Sequence, residues 1–372
     1  MANHSAVIEE KLLWVSLGRV SGLGSQTFCQ LLKAFGSPEN IYAANPKQLR
    51  EIVSDRIASD IISGYDADTL EQTRLWLAQE NNHLVTLADP EYPKSLLEIA
   101  DPPPFLYAKG NLSLLNQPSI AIVGSRNASV QGEKNAEAFA ADLCTYGLCI
   151  VSGLALGIDG AAHRGALKVN GSTIAVVGTG LDIVYPAKHR DLAHQIVQNG
   201  LIISEFDLGT PSKPQNFPKR NRIISGLSLG CLVVEANLQS GSQITARLAT
   251  EQGREVFAIP GSIHSPMSKG CHQLIKQGAK LVDCLQDIVE ELNLSQNPQS
   301  HSVSDSDIHS ANSSENTDAN IILTTMGYDP ITLDNLVTLS GLTVSAVSSM
   351  LMLLELEGKI ATLTGGQYQK IM

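Results

Sequence analysis

The side chains with the most chemistry sit in four short turns rich in glycine and hydroxyls. Gly124-Ser125-Arg126-Asn127-Ala128-Ser129 follows a β-branched run, and Ser152-Gly153 leads through Gly157 to Asp159 and a helical stretch. Gly178-Thr179-Gly180 follows a third run, and Ser240-Gly241-Ser242 opens another helical stretch. Glycine lets a ligand approach the backbone, while hydroxyls and the first N–H groups of a helix donate to oxygen. The fork of Arg126 grips phosphate at two points and keeps its charge at any physiological pH. A tight bend alone explains one such turn. Four at the same edge of one sheet predict a phosphate-lined cleft. A further block, Asn216-Phe217-Pro218-Lys219-Arg220-Asn221-Arg222, supplies charge. Between Leu208 and Val234 the chain carries Lys213, Lys219, Arg220 and Arg222 and no acidic residue. Placed after a proline-rich loop, this block predicts a groove that tracks a nucleic-acid backbone, with Phe217 offered to one base.

Enzyme signatures fail individually. The chain has neither G-x-x-x-x-G-K-[ST] nor G-x-G-x-x-G. Gly226-Leu-Ser-Leu-Gly230 spells a nucleophile elbow but precedes its strand, where an elbow must follow one. Asp159 and His163, four apart on one helix face, have the spacing of an acid/base pair; a helix start whose imidazole satisfies local backbone is the preferred reading. No catalytic residue is expected. The six cysteines form no C-x-x-C pair and read as buried reduced thiols, and the nine histidines form no ligand cluster. Neither metal nor cofactor is expected.

These residues need a scaffold. Ser119–Val123, Leu148–Ser152, Thr173–Val177, Leu201–Ser204, Cys231–Glu235 and Glu255–Ile259 are strand-like, separated by helical stretches such as Gly132–Tyr146, Ile158–Val169, His189–Asn199 and Gln243–Gln252. Near-continuous apolar strands alternating with helices predict an α/β, Rossmann-like, doubly wound and mostly parallel sheet covered on both faces. Ligands of such sheets lie beyond the carboxyl ends of the strands, at a topological switch point. The expected domains are an N-terminal helical module over 1–83, the Rossmann-like body over 84–290, a flexible linker over 291–320 and a winged helix over 321–372. In the first, Val20-Ser-Gly-Leu-Gly24 before Gln26–Phe35, and then Leu49–Ser63, have the look of helix-hairpin-helix units; phosphate binding and plain helical packing both remain open there. The linker has no Lys or Arg and cannot bury a core. In the winged helix, Thr343–Glu357 also lacks Lys and Arg, which favours protein contact over DNA reading.

The net charge of −11 is unevenly spread: 85–290 carries about −1 and 291–320 about −5. A nearly neutral body excludes a broad electrostatic sponge for DNA but allows a basic cleft. Glu9, Glu10 and Lys11 interrupt any signal-like apolar start, and no apolar run reaches bilayer length, so a cytoplasmic location without membrane contact is expected.

Taken together, the ordered blocks resemble the DprA/Smf (DNA-processing protein A) family. They comprise Asp101-Pro-Pro-Pro-Phe-Leu-Tyr107 with Lys109-Gly110, Ile122-Val-Gly-Ser-Arg126 with Ser129, Val151-Ser-Gly-Leu-Ala155 with Gly157-Ile-Asp159, and Ala162-His-Arg164. Tyr185-Pro186, Ser204-Glu205, Phe217-Pro-Lys-Arg-Asn-Arg222, Val234-Glu-Ala236, Ser240-Gly-Ser242 with Ile244-Thr-Ala-Arg247, and Pro260-Gly261 continue them. The resemblance implies a protein that binds and protects single-stranded DNA and helps load RecA during natural transformation, as a homodimer formed through its Rossmann-like body. It implies DNA contacts at Gly124, Ser125, Arg126, Lys219, Arg220 and Arg222. Ser129, Ser152, Gly153, Phe217, Asn221, Ser240, Gly241 and Ser242 complete the candidate set. The alternative is a nucleotide hydrolase similar to the lysine-decarboxylase-like enzymes that cleave nucleoside monophosphates. Their Pro-Gly-Gly-x-Gly-Thr motif is missing here, so Glu235, Asp159 or Glu205 would have to serve as the catalytic acid.

Overall fold

In a computed structural model, residues 2–64, 67–294 and 317–371 are described. Six helices come first: α1 (Ala2–Gly18), α2 (Ser25–Phe35), α3 (Pro38–Tyr42), α4 (Pro46–Arg50), α5 (Asp55–Ile62) and α6 (Ala67–Leu77). Side-chain oxygens of Ser37, Asn45 and Ser54 cap the short ones, accepting from N–H groups that have no partner inside the helix. The buried faces meet around Trp14, Phe28, Leu31, Ile41 and Leu70. That core also takes in Leu84, Phe105, Tyr107 and Leu208 from the body, so the module and the body share one apolar cluster.

The body opens with β1 (Asn82–Thr86) and β2 (Phe105–Gly110), and continues through β3 (Ser119–Val123), α7 (Val130–Thr145), β4 (Cys149–Ser152), α8 (Ile158–Lys168), β5 (Thr173–Val176), α9 (Arg190–Asn199) and β6 (Leu201–Ser204). Then come α10 (Asn216–Leu227), β7 (Gly230–Val233), α11 (Gly241–Glu251), β8 (Glu255–Ala258), α12 (Lys269–Lys276), β9 (Lys280–Leu281) and α13 (Leu285–Glu291). The strands form one nine-stranded sheet, ordered β1-β2-β6-β5-β4-β3-β7-β8-β9. From β6 to β9 all neighbours are parallel; β1 and β2 are antiparallel additions that the strand-like runs had not shown. The chain steps from β3 out to β6, returns to the other side of β3, and steps out again through β7. The switch point is therefore the gap between β3 and β7.

Alternation along the strands supplies both faces. Ile120, Ile122, Ile150, Leu232 and Phe257 pack under α7 and α8, whose contact stripe is Ala136, Ala140, Ala162 and Ala166. Ala121, Val123, Val151, Val176 and Val233 face Ile223, Ile224 and Leu227 of α10 and Ala246 and Ala249 of α11. The doubly wound expectation holds.

The C-terminal piece has α14 (Thr317–Met326), β10 (Ile331–Thr332), α15 (Leu333–Ser340), α16 (Val344–Leu356), β11 (Ile360–Leu363) and β12 (Gln367–Lys370). Three helices, with a small sheet ordered β10-β12-β11, make a winged helix. Of the linker expected over 291–320, residues 295–316 lie outside the described residues. Among the described residues no single helix is long and apolar enough to cross a membrane; the bent pair α15 and α16, 114° apart, passes the same test on length and composition alone.

Candidate nucleic-acid interface

A cleft of about 620 Å³ opens at the β3/β7 switch point. One wall is the turn after β3, from Gly124 to Asn127, and the opposite wall is Ser240-Gly241-Ser242 at the start of α11. The cleft face of α10 supplies Phe217, Arg220, Asn221 and Ile224, a set spaced by three, one and three residues as one helix stripe requires. Asp159 and Tyr185 are among the other lining residues.

The walls are tied together from behind. Ser129 caps α7, its Oγ accepting from Gly132 N at 2.9 Å. The same residue donates to the Glu235 carboxylate, through its N–H at 2.9 Å and its hydroxyl at 2.5 Å. Glu235 follows β7, so one carboxylate fastens the β3 turn to the β7 end. Ser125 N adds a bond to Glu235 O at 2.8 Å. A side chain on Gly132 would overlap the Glu235 carboxylate, so a hydrogen is what lets the clamp close.

Charge is layered. Arg126 is exposed at the mouth, its guanidinium carbon 5.1 Å from the centre of the Phe217 ring. Arg220, only 4% exposed, lies below the same ring at 5.9 Å and donates from Nη1 to Val176 O at 2.9 Å. Its Nε has no partner among the described residues. Burial lowers the Arg220 guanidinium to about 10 despite the help of Asp159. Asp159 accepts from Gly153 N at 3.1 Å and Ala155 N at 3.4 Å; burial raises its carboxyl above the ordinary range, against the pull of Arg220. Both side chains press on Gly153, where a Cβ would strike the Arg220 guanidinium and the Asp159 carboxylate. Such an arrangement offers one exposed cation at the rim, one buried cation with an unused donor beneath, an aromatic face between them, and hydroxyls and helix-start N–H groups opposite. Those groups suit an anionic, flat-faced ligand.

The profile of the family described as DNA recombination-mediator protein A matches residues 83–293, and that of the DprA winged helix domain matches 309–366. The chain is 40% identical over 359 residues to Protein Smf of Escherichia coli (strain K12), spanning 95% of this chain and 94% of that one. The chain belongs to the DprA/Smf family. To DNA processing protein DprA of Streptococcus pneumoniae it is 50% identical over 206 residues, covering 55% of this chain and 73% of that one. The X-ray structure of the S. pneumoniae DprA superposes with a TM-score of 0.67 at 40% identity, over 75% of this chain and 97% of that one. A DprA structure from Helicobacter pylori, described as giving insight into that protein's unique single-stranded DNA binding mode, superposes with a TM-score of 0.52 at 32% identity, over 57% of this chain and 96% of that one.

Of the candidate residues on this DprA/Smf scaffold, Gly124, Ser125, Arg126, Phe217, Arg220, Asn221, Ser240, Gly241 and Ser242 meet in the cleft. Five do not line it. Ser129 holds Glu235 as described. Ser152 is fully buried, with its hydroxyl donating to Ile122 O at 2.6 Å, and Gly153 is buried beneath Arg220 and Asp159. Lys219 is exposed on another face of α10. Arg222 points away from the cleft: it pairs with Glu205, and its Nε lies 3.3 Å from Asp101. The basic block is therefore a helix that distributes its charges around its axis, not a row along a groove.

The acids weighed for a hydrolase are all engaged: Glu235 in the clamp, Asp159 on backbone N–H groups, and Glu205 on Arg222. His163 does not join Asp159. Its Nδ1 is 2.7 Å from the Thr173 hydroxyl, which itself donates to Ile150 O, and burial lowers the imidazole to about 3. Tyr185, 45% exposed and 5.9 Å from the Phe217 ring centre, is a cleft residue that the reading of turns passed over. It stands five positions after Gly180, and no local signal marks it. Among the described residues, exposed Asp283 and Cys284 and half-buried Asp287 bring possible metal-ligand atoms within 4.8 Å of one another, but Asp287 is occupied accepting from two N–H groups at the start of α13.

Proposed function

We propose that this protein binds single-stranded DNA by its phosphates in the β3/β7 cleft, independently of sequence, during DNA processing for natural transformation. The observation that carries the reading is the Arg126–Phe217–Arg220 stack, which puts two cations on an aromatic face at the switch point of a DprA/Smf fold. Phosphate contacts fix position without reading bases, and an aromatic face accepts any base. The DNA-binding mode named for the H. pylori relative supports the same ligand. The role in this reading is protection and hand-over, with Asp159 engaged by backbone N–H groups, Glu235 by Ser129 and Glu205 by Arg222. The family resemblance extends the proposal to a cytoplasmic homodimer that passes its strand to RecA. Exposed Ile263 and Leu281, the latter on edge strand β9, favour a protein contact there.

The test is a salt titration of fluorescence anisotropy with a labelled single-stranded oligonucleotide, competed by duplex and by nucleoside monophosphate. The proposal expects tight binding whose logarithm falls with log salt by about 0.7 per phosphate neutralised, with weak competition from both rivals. Displacement by the mononucleotide, with release of free base, would establish the hydrolase instead.

A further inference from the structure

A second groove of about 690 Å³ lies on the sheet face that carries α9, between that helix and the N-terminal module. Its floor is Lys109 of β2 beside Ile202 of β6, which are register partners in the antiparallel pair. Trp76 from α6 forms one wall, and Arg190 and His194 from α9 form the other. Along α9 the lining runs from Arg190 to Gln198, about 12 Å of helix. Among the described residues, neither Lys109 nor Arg190 pairs with a carboxylate. The one acid in the lining, Asp182, accepts both its bonds from Gly209 N, at 2.8 and 2.9 Å. Two unengaged cations in a largely apolar groove suit a ligand that carries spaced negative charges along a chain.

This groove and the cleft share a wall. The segment after β5 turns Tyr185 into the cleft, while Leu181, Val184 and Ala187 line the groove. A chain leaving the cleft over Tyr185 meets Arg190 next and Lys109 at the far end. We propose that single-stranded DNA continues from the cleft across this turn into the second groove, where Arg190 and Lys109 each take a phosphate and the N-terminal module forms the outer wall. The inference rests on the cleft being the primary DNA site.

The experiment uses the full chain, the Lys109→Ala/Arg190→Ala variant, the charge-conserving Lys109→Arg/Arg190→Lys variant and Arg126→Ala. Each is titrated with an oligothymidine of about six nucleotides and one of about twenty, the longer exceeding the roughly 4–16 nucleotides that one single-strand-binding fold occupies. The double alanine variant is expected to bind the short strand like the parent. It should bind the long one several-fold more weakly, with a salt slope shallower by about 1.4, two contacts at about 0.7 each. The charge-conserving variant should keep the parental slope. Equal weakening on both lengths, or an unchanged slope on the long strand, overturns the second groove. Should the parent bind neither strand, or Arg126→Ala leave short-strand binding intact, the cleft reading falls and this inference falls with it.

Discussion

Arg126 and Arg222 differ by opposite signatures under the same substitution. Arg222 and Glu205 have side chains 12% and 13% exposed, and Arg222 Nε also reaches Asp101, which is 43% exposed. Burial already raises the Glu205 carboxyl, while Arg222 pulls it down. Replacing Arg222 by glutamine leaves that carboxylate buried without its cation, a loss that costs about 3–5 kcal/mol in comparable pairs. The partial exposure of Asp101 places the value near 3 kcal/mol, or roughly 6–12 °C in the melting of a body this size. Its effect on DNA should be nil, because the guanidinium faces away from the cleft. Arg126→Gln reverses the pattern: an exposed rim residue leaves melting unchanged while the salt slope becomes shallower by about 0.7. Glutamine at both Arg222 and Glu205 should recover most of the stability, since the stranded charge is gone. Denaturant melts and anisotropy titrations on the same preparations decide it. An Arg222→Gln protein with parental stability and a shallower slope would refute the account of α10.

Three further outcomes follow from the site. Phe217→Ala should weaken single-strand binding by about 1–3 kcal/mol for any base composition, measured by anisotropy with homopolymers. Gly132→Ala should cost about 1–2 kcal/mol of stability by denaturant unfolding, because the new methyl dislodges Glu235 from the cap of α7. His163 is neutral in the fold at about 3 but ordinary near 6.5 when unfolded, so the unfolded chain binds the extra proton and stability drains as pH falls below 6.5. Between pH 7 and 5 that amounts to about 2 kcal/mol, and His163→Gln should flatten the unfolding profile by that much.

The parallel strands were legible because their runs are apolar without interruption, and the turns because glycine and serine cluster at their ends. The less legible elements have weaker periodicity. β1 and β2 flank a stretch crowded with prolines, and their pairing is decided only when β2 meets β6. Helix α10 was hidden by Pro218. A proline in a first helical turn removes only an N–H that lacks a partner anyway, so it did not stop the helix that it seemed to forbid. Once 216–227 is helical, Arg220 and Arg222 are about 200° apart around the axis, and a linear reading of charge becomes a division between a cleft cation and a structural one. Tyr185 illustrates the converse: nothing in its local sequence points to the cleft, and only the fold of the 181–187 turn brings it beside Phe217.

The apolar cluster shared by the helical module and the body has a bearing on synthesis. Domains emerging from the ribosome usually close in order from the N-terminus. Here the first six helices cannot seal their interior until Phe105 and Tyr107 have been added and Leu208 has arrived, with Arg19 waiting for Asp207 at 2.9 Å. More than half the chain must be translated before its first eighty residues have a complete core. The nascent module thus keeps part of its apolar interior uncovered over that interval, and a version of the protein beginning at β1 would present Phe105 and Tyr107 to water.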